Sequence, residues 1–131
     1  MNNIIVDTSG WLEYFSDGEN SDIFAGVILD KSSKIIIPVI VIYEIFKKVL
    51  MERDENTALQ TIAQLQKYQI EIVDDSLALQ SARISAEHKI PMADSMIYAV
   101  TLKYNAILWT QDEHFKKLPN AKYIEKKKGR V

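Results

Sequence analysis

The chain has 131 residues, 47% of them hydrophobic and 26% charged, with a formal net charge of −2. That length carries one domain with a real core, and the balance is that of an ordinary soluble globular protein, with no overall electrostatic case for a polyanionic partner. There is no cysteine and there are only two histidines, His88 and His114, which excludes a disulfide framework, a zinc–thiolate site and a cysteine nucleophile, and argues against a histidine-rich metal cage.

In chain order, Ile4-Ile5-Val6 is a short, continuous run of branched apolar residues and reads as a strand buried on both faces. Asp7-Thr8-Ser9-Gly10 ends it, and Trp11 to Phe15 suggest a short helix. After a loop at 17–21, with Asn20 or Ser21 as N-cap, Ile23, Phe24, Val27 and Ile28 recur at helical spacing. Lys34 opens a second strand, Ile35 to Ile37, which Pro38 stops. Dense apolar residues from Val39 to Arg53 predict a largely buried helix, and 54–67 a second, amphipathic one with Leu59, Ile62 and Leu65 on one face. Ile70 to Val73 reads as a third strand. Asp75 or Ser76 caps the next helix, which carries Leu77, Leu79, Ala82, Ile84 and Ala86. Pro91 starts another helix, with Met92, Met96, Ile97, Val100 and Leu102 turned inward. Ala106 to Trp109 is a fourth strand, Glu113–Lys117 a short helix, and Tyr123-Ile124 a fifth, edge strand. Strands alternating with helices imply a single α/β domain over 1–131, layered around a mostly parallel sheet of four to five strands. Ligands of such sheets sit at the carboxyl ends of the strands.

Four carboxylates stand where these elements begin or end: Asp7, Glu44, Asp94 and Asp112. Each has an ordinary explanation taken singly. Asp7 and Asp112 can cap the helices that follow them. Asp94 gains from the dipole of the first turn after Pro91. Glu44 could share a narrow polar stripe with Lys47 or Lys48, although its neighbours Ile42, Tyr43, Ile45 and Phe46 are apolar and Glu is rarely buried without a partner. Brought together by one fold, four carboxylates repel one another unless a cation neutralises them. The set therefore points to metal-assisted phosphodiester hydrolysis. His88 and His114 lie in polar surroundings and read as surface residues, neither ligand nor base. Trp11 and the aromatics near it read as core or interface rather than as a base-stacking platform.

Late in the chain Lys116, Lys117, Lys122, Lys126, Lys127, Lys128 and Arg130 gather. They suit a basic rim for a phosphate backbone, and about 126–131 is expected to form a flexible basic tail. The start of the chain lacks a signal-peptide pattern, and the longest apolar run, 35–43, is short for a bilayer and contains Pro38. A cytoplasmic protein with no membrane partner is expected.

The apolar strand ending in Asp7-Thr8-Ser9, the helix bearing Glu44, the segment Ala93-Asp94-Ser95-Met96-Ile97-Tyr98-Ala99, and Leu108-Trp109-Thr110-Gln111-Asp112 followed by Phe115 together resemble a PIN domain. The closer resemblance is to a VapC-like toxin of a type II toxin–antitoxin pair. It covers almost the whole chain and rests on order and spacing rather than on any single motif. Ser95 departs from the alanine usual there but keeps a small residue. The resemblance implies a three-layer α/β/α fold and an acidic metal site of Asp7, Glu44, Asp94 and Asp112, supported by Thr110 and by Thr8 or Ser9. It also implies a homodimer, an RNA substrate and a cognate antitoxin that occludes the cleft. On this reading the oxygen-only ligands favour Mg²⁺ or Mn²⁺ over zinc, with Asp7 and Asp94 bound directly and Asp112 and Glu44 directly or through water. Hydrolysis would leave a 5′-phosphate and a 3′-hydroxyl. Two other α/β phosphoryl-transfer families fit less well. A haloacid-dehalogenase-type phosphatase needs an Asp where Ser9 stands, and a receiver domain needs an acidic neighbour that Asp7 lacks. A non-catalytic interaction module of the same fold and a structure-specific DNA nuclease remain as alternatives.

Overall fold

Branched apolar runs form the middle of the sheet because each can be covered on both faces. In the computed structural model, which describes residues 2–127, β1 (Asn2–Val6) and β2 (Ser33–Pro38) are buried continuously over Ile4–Val6 and Ile35–Pro38. β4 (Ile107–Thr110) lies on the other side of β1, with β3 (Gln69–Glu71) and β5 (Ala121–Tyr123) as short edges. The order is β3-β2-β1-β4-β5 and every pairing is parallel. Five strands and an all-parallel sheet fill out the expected four to five.

The connections are α1 (Thr8–Phe15) and α2 (Ser21–Ile28), α3 (Val39–Glu52) and α4 (Glu55–Leu65), then α5 (Asp75–His88) and α6 (Met92–Lys103). The first two pairs step outward from β1 to β3, and the last returns across the sheet to β4. Right-handed crossovers in opposite senses cover both faces with helices, which gives three layers. The direction reverses between β1 and β4, so a crevice opens at their carboxyl ends.

Several sequence expectations about the helices are corrected by their packing. α1 starts at Thr8 rather than Trp11, because Asp7 caps it directly, accepting from Gly10 N at 3.0 Å. α3 buries only one stripe, Val41 and Ile45, while Tyr43, Leu50 and Met51 are exposed. α4 turns Ala58, Ile62 and Leu65 inward and leaves Leu59 out. The cap of α2 is Asn20, one of the two expected, while that of α5 is Asp74, just before the expected Asp75 or Ser76. α5 exposes Leu79, Ala82 and Ala86 and buries Leu77, Ser81 and Ile84. α6 leaves Met92 and Leu102 exposed and buries Asp94, Ser95, Ile97 and residues 98–101 instead. Strand β3 lies one or two residues earlier than expected, and the short helix before β5 is a 3₁₀ turn, Glu113–Phe115. Trp11 is core, as read, stacked on Phe15 at 5.6 Å between ring centres. Lys126 and Lys127 are exposed; the rest of the expected tail, with Lys128 and Arg130, lies outside the described residues. No helix among the described residues is long and apolar enough to cross a membrane.

Gly10 lets α1 settle on β1. A Cβ there would come within 2.6 Å of Val6 Cγ1 and 2.7 Å of Phe24 Cε1, both in buried side chains. Gly10→Ala should therefore lower stability by about 1–2 kcal/mol in urea melts, the overpacking outweighing the ~0.5–1 kcal/mol that alanine contributes to a helix. An unchanged or raised midpoint would show that this contact is soft.

Candidate active site

Asp7 leaves the end of β1 and is buried to 2% exposure. Its backbone N–H still belongs to the sheet, donating to Trp109 O at 3.2 Å. Both side-chain oxygens are held: Ser9 Oγ donates to Oδ1 at 2.7 Å, Gly10 N donates to Oδ1 at 3.0 Å, and Thr110 Oγ1 donates to Oδ2 at 2.7 Å. Burial pushes this carboxyl up to about 7, against the pull of those bonds from Thr110, Ser9 and Gly10 and with a smaller push from Asp112. A buried acid poised between its charged and neutral forms is one that a nearby cation would ionise.

Thr110 ends β4 and links Asp7 to Asp112. It is fully buried, and its Oγ1 accepts from Asp112 N at 2.9 Å while donating to Asp7. Ser9 makes a second link, since its hydroxyl accepts from Gln111 N at 3.0 Å. Asp112 caps the 3₁₀ turn, accepting from His114 N at 2.9 Å. The capping roles foreseen for Asp7 and Asp112 are thus real, and they orient the same two carboxylates toward the crevice.

Asp94 lies in the first turn of α6 and is 9% exposed. Burial raises its carboxyl to about 6, Asp112 and more weakly Glu44 add to the rise, and the hydrogen bond and charge of His114 oppose it. Asp94 thus lies within electrostatic reach of both Asp112 and Glu44, and Asp7 within reach of Asp112. Glu44 accepts from Thr8 Oγ1 at 2.6 Å, not from the lysines one turn on; Lys48 pairs with Glu52 at 2.9 Å.

His114 lies at the surface as read, but the sequence reading missed its contacts. Its side chain is 53% exposed, as a surface residue should be, yet Nδ1 lies 2.7 Å from Asp94 Oδ2 and 3.1 Å from Asp112 Oδ1. The hydrogen bond to Asp94 is the main cause that raises its pKa, with the charges of Asp112 and Asp94 adding. Donor atoms of Asp94, Asp112 and His114 all lie within 4.8 Å of one another, a group able to hold a metal ion. The donor set fits such an ion: two carboxylates that repel each other, backed by a third, buried one in Asp7.

Shallow cavities flank this cluster. One, about 450 Å³, is lined by Ser9, Gln111, Asp112, Lys48 and Lys126 among others. The other, about 400 Å³, is lined by His88, Glu113, His114, Lys116 and Lys117 among others. A slightly larger depression, about 520 Å³, lies around the starts of β1 and β4 and has no carboxylate in its lining; size alone would misplace the site.

The model of the PIN domain family matches residues 4–121. The chain belongs to the PIN domain family. No curated protein matches it in sequence. Solved structures share the PIN fold at low identity. The toxin–antitoxin complex from Klebsiella pneumoniae is 18% identical with a TM-score of 0.76, covering 94% of this chain and 98% of its own. VapC20 from Mycobacterium tuberculosis, described as a sarcin-ricin loop cleaving toxin, is 18% identical with a TM-score of 0.74, covering 88% and 95%. VapBC2 from Rickettsia felis, bound to a DNA fragment from its promoter, is 16% identical with a TM-score of 0.73, covering 94% and 99%. In this PIN domain the carboxylate cluster sits at the reversal point of the sheet, where the fold leaves its crevice.

Proposed function

We propose that this chain is a metal-dependent endoribonuclease and the toxin of a toxin–antitoxin pair. The observation that carries the reading is the convergence, in a PIN domain, of Asp94, Asp112 and His114 donors within 4.8 Å, in front of a buried Asp7 tied to Asp112 through Thr110. Asp7, Glu44, Asp94 and Asp112 are the proposed catalytic and metal-holding residues, with Mg²⁺ or Mn²⁺ as the ion. Thr8, Ser9 and Thr110 are the supporting residues. A divalent ion held there supplies a water acidic enough to attack near neutral pH and offsets charge on the phosphoryl oxygens.

The chain's own groups have separable tasks in this reading. Asp94 and Asp112 offer oxygens at the mouth of the crevice. Asp7 Oδ2 accepts one hydrogen bond, from Thr110, and keeps a lone pair for the ion. Thr8 fixes the rotamer of Glu44 through their 2.6 Å bond. Lys48 and Lys126 on one side, and Lys116 and Lys117 on the other, suit the phosphates of a strand crossing the cluster. A homodimer and a cognate antitoxin belong to the same reading; toxin–antitoxin complexes among the structural neighbours support the second.

The test is cleavage of total RNA by the purified full chain with Mg²⁺ or Mn²⁺, followed by mapping of the ends. Cleavage should leave 5′-phosphates and 3′-hydroxyls and vanish on adding EDTA. Cleavage that survives EDTA, or cyclic-phosphate ends, would reject a metal-assisted site. Preference for branched or flapped DNA would move the substrate class to structured DNA. Failure of Mn²⁺ to bind at all would favour a non-catalytic interaction module.

A further inference from the structure

We propose that His114 is itself a metal-binding residue of this site, and that its Nδ1 biases the site toward Mn²⁺ over Mg²⁺. The proposal rests on the metal-dependent reading above and adds a nitrogen to what the carboxylates alone would offer. Adjacent donors on an octahedral ion of this size lie about 3 Å apart, given metal–ligand bonds of ~2.1 Å. Nδ1 stands 2.7 Å from Asp94 Oδ2 and 3.1 Å from Asp112 Oδ1. Nδ1 is therefore already spaced from each of the two oxygens as a neighbouring ligand is, and the three residues offer donor atoms that all lie within 4.8 Å of one another.

The ring is held there by local structure. His114 N donates to Asp112 Oδ1 at 2.9 Å, which fixes the residue beside its partner. Phe115, the next residue, is fully buried and anchors the 3₁₀ turn. Nδ1 is the nitrogen turned to the two carboxylates, so the lone pair needed by a metal is directed inward.

Imidazole suits the later first-row ions best, and Mn²⁺, though lowest in that series and fond of oxygen, still accepts it more readily than Mg²⁺, which demands oxygen ligands and retains its waters. An all-carboxylate site would separate Mn²⁺ from Mg²⁺ weakly. One nitrogen widens the gap, because Mn²⁺ gains from it more than Mg²⁺ does.

The experiment uses the purified full chain and reads the bound ion, not turnover. Pulsed EPR of bound Mn²⁺ should show a ¹⁴N coupling typical of directly bound imidazole. That coupling should disappear in His114→Gln and persist in His88→Gln, the needed control because His88 lines the same cavity. By Mn²⁺ titration and Mg²⁺ competition, His114→Gln should weaken Mn²⁺ about tenfold or more and Mg²⁺ by less than about threefold. Mn²⁺ bound without the nitrogen coupling, coupling that survives His114→Gln, or equal weakening of both ions would overturn the assignment while leaving the carboxylate site intact. No stoichiometric Mn²⁺ binding by the wild-type chain would overturn both it and the metal-dependent reading beneath it. The side chain's exposure makes loss of fold in His114→Gln unexpected, and circular dichroism checks it.

Discussion

Asp7→Asn is expected to lose metal-dependent RNA cleavage by about 10³-fold or more while making the metal-free protein more stable at pH 8. The second half follows from burial. Asp7 titrates near 7 in the folded chain against 3.8 as the ordinary value. Between those values the folded state binds more protons than the unfolded one, so stability falls as pH rises through that window. The penalty is absent below pH 3.8 and complete above about 7. Three pH units set a ceiling of roughly 4 kcal/mol. Asparagine carries no charge, so the variant escapes this loss and its urea midpoint should change less between pH 4.5 and 8. Asp94, raised for a similar reason, remains in both proteins and cancels from the difference between them. Adding Mn²⁺ should narrow the gap at pH 8, because only the wild-type site gains fully by linkage, about 2.7 kcal/mol at a hundred times Kd, and should close it near a thousand times Kd, where the gain is about 4.1 kcal/mol. An Asp7→Asn protein no more stable than wild type at pH 8, relative to pH 4.5, would mean that burial does not strain this carboxylate.

Which parts of this were legible in the residues follows from what each position has to satisfy. β1 and β2 could be read because a strand covered on both faces has to be a branched apolar run, and few other segments are; β4 is apolar too, but it buries only Leu108 and Thr110 and leaves Ile107 and Trp109 half-buried. Asp7 and Asp112 could be read because they stand at or just beyond the ends of such runs, where α/β crevices form, whereas Thr110 entered only through the resemblance to PIN domains. Helix faces were harder. α6 packs Asp94, Ser95, Ala99 and Thr101 inward while Met92 is exposed, since a helix that delivers a carboxylate to a crowded crevice needs small and polar residues on that side. On α4 the inward place belongs to Ala58 rather than Leu59. A one-residue phase error is invisible when both candidates are apolar.

His114 escaped for a different reason. Asp112, Glu113 and Lys116 around it are charged and its side chain is half exposed, and both mark a surface residue. What distinguishes it is the 3₁₀ turn, which curls residue 114 back over its own cap at 112. The available signal was the adjacency of Asp112, His114 and an apolar Phe115: a capping acid, then a ligand-type side chain, then an anchor. Gly10 carried no signal at all, because the demand for a missing Cβ comes from Phe24 and Val6, one of them in a different helix.

Thr110→Val separates the support of the site from its ligands. The two side chains match in shape, but valine is not a neutral swap where a hydroxyl is buried and used. Thr110 Oγ1 donates to Asp7 Oδ2 and accepts from Asp112 N, so valine removes one partner from a buried carboxylate and one from a backbone N–H. Leaving such groups unpaired costs about 1–3 kcal/mol. The Thr110 hydrogen bond also pulls the Asp7 carboxyl downward; without it the group should titrate higher than about 7, and the metal-free protein should lose stability at a higher pH than wild type. Cleavage should fall about 10–100-fold, chiefly in kcat, because the lysines and their cavities are untouched. Thr110→Ser retains the hydroxyl and should recover most of the rate, though not all of the packing. If valine kept the activity and serine lost it, the methyl group rather than the hydroxyl would be the part that matters. Thr110 would then act as core filler beneath the crevice, and the bridge from Asp7 to Asp112 would have no part in holding the two carboxylates in register.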